Sequence, residues 1–240
     1  MLNFFKSEPY LKDLIPNGFV DIHSHILPGI DDGSKNIEDS LNLISEMKKL
    51  GFSKIVGTPH TYAGLYDNTN ESIKKSFNKL NKKKPKDLEI KYASEYMLDK
   101  TIIEKAKNKN LLCVKDNLVL VEMSYIAPPY KLYEIIFEIR VNGYLPILAH
   151  PERYPFIQDF ETYLKLKKVG CLFQANLLSC VGYYGKSVVK VLDKLIKKEM
   201  IDFVGSDIHN TRHIQGFEKK VKTQNTEILK TIIKNNRAFA

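Results

Sequence analysis

The chain has 240 residues and a mass of 27.6 kDa, with 43% hydrophobic and 27% charged residues and a net charge of +9. That is enough apolar material for one substantial core and too much for a disordered chain, and no apolar run approaches the roughly 20 residues needed to span a bilayer. The basic balance suits an anionic partner, but Arg140, Arg153, Arg212 and Arg237 are the only arginines, and lysines scattered over helices usually form a solvated face.

The N-terminus, Met1 to Tyr10, has Phe4 and Phe5 and then Lys6 and Glu8. Without an apolar core segment it does not read as a secretory signal. Cys113, Cys171 and Cys180 are an odd set with no CxxC spacing, which fits a reducing cytoplasm. No repeat or Gly/Ser-rich linker breaks the chain, so it reads as one domain over residues 1–240, with 1–18 as an N-terminal extension.

From there, short apolar runs rich in β-branched residues alternate with longer stretches of helical period. The expected strands are Phe19–His25, Lys54–His60, Leu88–Met97, Leu118–Ser124, Leu145–Pro151, Cys171–Ser179 and Asp202–Asn210. Helices are expected near Asn36–Leu50, Asn70–Lys83, Asp99–Asn110, Lys131–Asn142, Asp159–Lys168 and Lys186–Glu199, and over much of Phe217–Asn235. Such alternation implies parallel strands with right-handed crossovers, and about seven units favour an α/β barrel over an open sheet.

Polar residues of metal-ligand type collect at the strand ends: His23, His25, His60, Glu95, Glu122, His150, Asp207 and His209. A (β/α) barrel gathers those ends on one face, where such enzymes carry their chemistry. In Asp21-Ile-His23-Ser-His25 the acid and both histidines share one strand face, so two imidazoles can take one divalent ion while Asp21 orients them. Five of the six histidines fall at strand ends, and His213 lies just beyond. Asp31 is a further acid at that face. Glu95 and Glu122 lie among apolar residues, where an unpaired carboxylate costs several kcal/mol unless cations compensate it.

Other schemes fail on spacing. The residues six after each cysteine are Val119, Leu177 and Lys186, so the Cys-to-Arg phosphatase spacing is absent. Gly185-Lys186-Ser187 lacks the first glycine of a P-loop, and neither GxSxG nor GxGxxG occurs.

The motifs DIHSHILPGIDDG, GTPH, SEYM, VEMS, AHPERY and GSDIHN, in order from about Val20 to His213, resemble those of the PHP (polymerase and histidinol phosphatase) superfamily. More narrowly they are similar to the manganese-dependent protein tyrosine phosphatases of bacterial capsule and exopolysaccharide loci. The resemblance implies a distorted seven-stranded (β/α) TIM-like barrel with three divalent metal ions, manganese foremost and iron or zinc as alternatives. It implies that His23, His25, Glu95 and Asp207 hold the first ion. Glu95 would bridge to a second ion, held also by Glu122 and His150, and Asp31, His60 and His209 would hold the third. Arg153 matches a phosphate-binding arginine, and Arg212 is the candidate for a second, though closer to its motif than in the family.

The implied reaction is hydrolysis of phosphotyrosine by metal-activated hydroxide, with Arg153 as a bidentate phosphate contact. Tyrosines fall in several loops after strands, and Tyr125 is expected to stack on the aryl ring. The implied partner is a phosphotyrosine protein, an autophosphorylating bacterial tyrosine kinase, with no nucleic acid and no transmembrane segment. Two alternatives remain open: a phosphoesterase acting on a small molecule or nucleotide, and a non-catalytic, metal-stabilised binding module.

Overall fold

The structure, a computed structural model, describes residues 8–157 and 159–240. The first seven residues of the expected N-terminal extension lie outside the described residues. The described residues form nine strands, all paired in parallel: β1 Phe19–Ser24, β2 Phe52–Gly57, β3 His60–Thr61, β4 Glu89–Tyr92, β5 Glu95–Met97, β6 Leu118–Glu122, β7 Leu145–Ala149, β8 Leu172–Asn176 and β9 Phe203–Gly205. The helices are α1 Ile37–Lys49, α2 Asn70–Asn81, α3 Lys100–Lys107, α4 Leu132–Val141, α5 Phe160–Lys168, α6 Lys186–Lys197, α7 Thr211–Gly216 and α8 Thr226–Asn235.

Local chemistry sets these boundaries. Asn36 accepts from the Asp39 amide ahead of α1, Asp99 from Thr101 ahead of α3, and Asp159 from Thr162 ahead of α5. Each side chain satisfies an amide that the first helical turn leaves free. Thr69 and Ser72 cap α2 reciprocally. β1 is buried along its whole length, as expected of a parallel strand covered on both sides.

The strands form two sheets, β1-β2-β4 and β3-β5-β6-β7-β8-β9. Among the described residues, no continuous ladder closes all strands into the expected seven-stranded barrel. Two of the seven anticipated strands are each split. The run Lys54–His60 breaks at Thr58-Pro59, where proline has no amide for a ladder, and Leu88–Met97 breaks at Ala93-Ser94. Backbone hydrogen bonds cross both gaps, among them Ala93 N to Gly57 O at 2.9 Å and Glu95 N to Pro59 O at 3.1 Å. The far edges approach through an isolated bridge, Ser24 to Ile208, with Asp207 N on His23 O at 2.8 Å and His25 N on Ile208 O at 2.9 Å.

The last expected helix is also shorter. Residues 217–225 are drawn away by the N-terminal segment: Leu11 N bonds Lys219 O, Lys12 N bonds Phe217 O, and Val221 N bonds Pro9 O. The Asp193 carboxylate then accepts from the Thr223 hydroxyl and the Gln224 amide, so α8 begins only at Thr226. Residues 8–18 therefore pack on the body, with Leu11 fully buried.

The larger apolar cluster lies between the strands and the helices. A smaller one, with Val20, Ile22, Val56, Leu120, Ile147, Ala149 and Phe239, fills the other side of the strands. Leu120 and Glu122 share a face of β6, so this inner cluster forms an apolar floor beneath the polar strand ends.

Candidate metal centre

The strand ends bring together side chains from six separate stretches of chain. His23 ends β1 with His25 just beyond; His60 opens β3, Glu95 opens β5, Glu122 closes β6, and His150 follows β7. Asp207 and His209 follow β9. His150 and Asp207 take left-handed backbone conformations, at φ 37° and 52°, a strained state for such residues that turns their side chains off the strand line. Two glycines permit the close approach. A Cβ at Gly33 would lie 2.1 Å from the His25 carbonyl oxygen, and one at Gly205 would lie 2.7 Å from both His23 Cβ and Gln174 Nε2.

Glu95 stands at the centre and is fully buried. Its Oε2 lies 3.2 Å from His23 Nε2, 3.4 Å from His25 Nε2 and 3.0 Å from His60 Nδ1. Its Oε1 lies 3.3 Å from His150 Nε2. Asp207 Oδ1 adds contacts of 3.3 Å to His23 and 3.4 Å to His25, and Glu122 Oε1 lies 2.7 Å from His60 Nδ1. Two ligand atoms each about 2.1 Å from one ion, at tetrahedral or octahedral angles, are roughly 3.0–3.4 Å apart. Most of these spacings match that geometry. Four ligand groups emerge: His23/His25/Asp207, His23/Glu95/His150, His60/Glu95/Glu122, and His25/Asp32/His60/His209.

The outer hydrogen bonds fix which nitrogens face inward. Gln174 Nε2 donates to Ala175 O at 2.8 Å, so its Oε1 is the atom 2.7 Å from His23 Nδ1 and must accept there. His25 Nδ1 donates to Asp31 Oδ2 at 2.7 Å. When neutral, both rings then present bare Nε2 lone pairs to each other across 3.2 Å. That contact is repulsive unless a positive charge is shared between them. Both Glu95 oxygens and His60 Nδ1 are buried without a hydrogen bond, a costly arrangement for polar atoms that a coordinated cation removes. The donor set therefore fits divalent ions.

The titration directions describe the same demand for positive charge. Burial would lift Glu95 and Asp207, yet the surrounding imidazoles, His23 foremost, hold both well below the usual carboxylate range. Burial depresses His25, but the surrounding carboxylates, Asp31 foremost and Asp207 with it, together outweigh burial and the ring sits well above its ordinary value. His150 is the exception: burial, with Arg153 adding to it, pushes it down to about 4, leaving a neutral ring with a free lone pair. Burial first, and Glu95 next, push Glu122 up.

Several anticipated residues stand elsewhere in the arrangement. The family resemblance implies Asp31 for the third ion, but its carboxylate is occupied by His25 Nδ1, by Gly33 N at 3.0 Å and by His60 N at 3.3 Å. Its neighbour Asp32 supplies the oxygen that faces His60 Nε2 at 3.4 Å and His209 Nε2 at 3.5 Å. In a tight turn, adjacent acids point apart, and spacing alone does not tell which one faces the ring. Asp21 touches no imidazole. It accepts from the Ser206 amide and hydroxyl at 2.9 and 2.6 Å, fastening β1 to the end of β9. Arg212 is exposed on α7, and its side chain makes no hydrogen bond or ion pair among the described residues. His213 packs behind His209, its Nδ1 3.1 Å from the His209 amide.

Arg153 does reach the cluster, with Nη1 2.6 Å from Asp207 Oδ2. Its guanidinium lies 3.8 Å from the ring centre of Tyr184 and 5.0 Å from that of Tyr125. Tyr125 stacks on His150, with its hydroxyl 3.4 Å from Nδ1. Sequence reasoning missed Asp32, Gln174, Asn176 and Tyr184. Asn176 Nδ2 bonds both Asp207 Oδ2 at 2.8 Å and the Tyr184 hydroxyl at 3.1 Å. Asp32 is the second acid of the DDG motif; no pattern marks the other three.

Comparison with known proteins agrees with this geometry. Residues 19–236 match the family described as capsular polysaccharide synthesis, CpsB/CapC. CapC of Staphylococcus aureus is 32% identical over 196 residues, covering 80% of this chain and 77% of that protein. Tyrosine-protein phosphatase YwqE of Bacillus subtilis is 29% identical over 198 residues, covering 80% and 78%. Crystal structures of YwqE and of CpsB from Streptococcus pneumoniae, described as unique metal-dependent tyrosine phosphatases, superpose with a TM-score of 0.79 at 26% identity, covering 92% of this chain and 93% of the other. A histidinol phosphate phosphatase from Lactococcus lactis, at 12% identity and a TM-score of 0.52, shares the fold.

Proposed function

From the premise that the chain belongs to the CpsB/CapC family, we propose that it is a metal-dependent protein tyrosine phosphatase of capsule or exopolysaccharide synthesis. The observation that carries this reading is the Glu95 carboxylate, buried without a hydrogen bond among four histidines, with Arg153 on the neighbouring ligand Asp207. We propose three ions, manganese in the native enzyme with iron or zinc as substitutes, since imidazole and carboxylate donors suit all three. His23, His25, Glu95, Glu122, His150 and Asp207 would hold the inner ions, and Asp32, His60 and His209 the outer one.

Bound divalent ions would supply Lewis acidity, lowering the pKa of a water to make a nucleophile and offsetting phosphoryl charge. The protein's own side chains do the rest. Arg153 presents a planar fork for two phosphoryl oxygens, and the Tyr184 ring and Asp207 hold that fork in place. Tyr125 offers its ring to the substrate's aryl group and its oxygen to His150 Nδ1, which keeps Nε2 turned inward. Asn176 holds Asp207 from behind. The buried floor excludes water from one side, so the substrate enters from the strand-end loops.

The physiological partner we propose is an autophosphorylating bacterial tyrosine kinase, met in the cytoplasm. No helix among the described residues is long and apolar enough to cross a membrane. Purified enzyme loaded with Mn²⁺ should hydrolyse a phosphotyrosine peptide with higher kcat/KM than histidinol phosphate or single-stranded DNA. Preference for either of the latter would overturn the assignment.

A further inference from the structure

We propose that Glu152 is a positioning residue for phosphate binding, setting the Arg153 fork through Asn176 and Ser179. This role rests on the phosphatase reading, in which Arg153 contacts phosphate, and extends it to a side chain outside the four metal-ligand groups. Glu152 lies in the short turn Pro151–Arg153 after β7 and is only 3% exposed. Its Oε1 accepts from the Asn176 amide at 2.9 Å and from the Ser179 hydroxyl at 2.6 Å. Its Oε2 is buried without a hydrogen bond. A side chain that merely filled this space would be apolar, because an unpaired buried carboxylate oxygen costs free energy. What the acid supplies in return is a grip on two donors from another stretch of chain.

Those two donors lead to the two groups that hold Arg153. Asn176 ends β8, and its Nδ2 donates to Asp207 Oδ2 at 2.8 Å and to the Tyr184 hydroxyl at 3.1 Å. Its Oδ1 accepts from the Leu178 amide at 2.8 Å, so backbone and side chain are fixed together. Ser179 sits in the turn Leu177–Val181, and its carbonyl accepts from the Gly182 amide at 3.1 Å. Two residues further on, the Tyr184 ring lies 3.8 Å from the Arg153 guanidinium. Arg153 itself follows Glu152 in sequence. One acid therefore ties the arginine's own turn to the residue that holds Asp207 and to the turn that delivers Tyr184. A bidentate phosphate contact needs a fixed guanidinium plane, and a small displacement of a positioned group forfeits much of its effect. The metal ligands are less exposed to this linkage. Asn176 and Arg153 both meet Asp207 Oδ2, whereas Oδ1 is the atom that faces His23 and His25.

The test measures the affinity of the Mn²⁺-loaded protein for inorganic phosphate by calorimetry, beside KM and kcat for a phosphotyrosine peptide and metal content by elemental analysis. Glu152→Ala should weaken phosphate about tenfold and raise KM by a similar factor, a loss on the scale of one displaced contact. Metal content should hold, and kcat should change less than KM. Glu152→Gln keeps an accepting oxygen for both donors and should stay within about threefold of the parent. In an Arg153→Ala background, Glu152→Ala should weaken phosphate no further, as expected of residues that act as one unit. A purely structural role gives a lower Tm with unchanged phosphate affinity, or a loss that persists without Arg153, and either result overturns the assignment. If Glu152→Ala does not fold, Ser179→Ala removes one of the two bonds and should still weaken phosphate by about twofold or more; unchanged affinity overturns the assignment. Phosphate affinity indifferent to Arg153→Ala overturns the arginine's role and that of Glu152 with it. A parent protein that binds phosphate through Arg153 and Glu152 yet hydrolyses no phosphotyrosine peptide overturns the tyrosine phosphatase reading and leaves the positioning role standing.

Discussion

The inner and outer halves of the metal-ligand cluster are built differently. Inside, His23, Glu95, His150 and Asp207 are buried. His23 is held by Gln174, and Asp207 by both Arg153 and Asn176. At the rim, His60 and His209 are partly open, and the Asp32 side chain is 53% exposed. Ligands held by outer hydrogen bonds on an apolar floor lose little freedom on binding an ion, whereas an open carboxylate competes with water and must be ordered. The inner ions should therefore be tightly held and structural to the site, and the outer one exchangeable.

The sharpest way to break this comparison is Glu95→Gln. The amide keeps the shape and removes the charge shared by two of the four ligand groups. Elemental analysis should show loss of most bound metal, with kcat/KM down by at least about a thousandfold, since Lewis-acid stabilisation is worth several kcal/mol. A variant that kept a full metal load would refute the central role of Glu95.

Asp31 and Asp32 sharpen the comparison, because adjacent acids are placed in different roles. Asp32→Asn should remove one ion per chain under mild chelation and leave the others. Asp31→Asn should keep the full stoichiometry at saturating metal but weaken affinity about 10- to 100-fold, because it removes the partner of His25 Nδ1. Metal titration by calorimetry separates the two outcomes. If the patterns were exchanged, Asp31 would be the ligand after all.

The contrast in legibility follows from the same chemistry. His23, His25, His60, Glu95, Glu122, His150, Asp207 and His209 could be picked out because imidazoles and acids at strand ends are improbable without a shared task, and parallel strands bring those ends together. Gln174, Asn176 and Tyr184 could not. They are common residue types whose meaning is only spatial: Gln174 reaches a histidine 151 positions away. The fold was readable as β–α alternation, but the breaks at Pro59 and Ala93 depend on hydrogen bonding between strands. The lost part of the last helix depends on a distant N-terminal segment.

Tyr184 gives a smaller effect that locates the boundary between metal binding and phosphate binding. Tyr184→Leu removes the ring under the Arg153 guanidinium, an attraction worth about 0.5–2 kcal/mol. KM for phosphotyrosine peptide should rise about three- to tenfold with metal content unchanged. Tyr184→Phe should restore much of that, retaining the ring and losing only the bond to Asn176.

The smallest expected effect lies away from the cluster altogether. Burial pushes the Cys113 thiol up to about 11 and Cys171 up to about 12, so at neutral pH both remain protonated and poorly nucleophilic. Iodoacetamide at pH 7.5 should leave phosphatase activity intact over hours, and modification of Cys113, the more accessible of the two, should accelerate only as pH rises toward 11. Cys171→Ser places a hydroxyl where the thiol faces the Leu172 carbonyl, so it should shift thermal stability slightly and kcat not at all. Rapid inactivation at neutral pH, prevented by Cys113→Ser, would place a cysteine in the reaction and contradict a mechanism carried by histidines and acids.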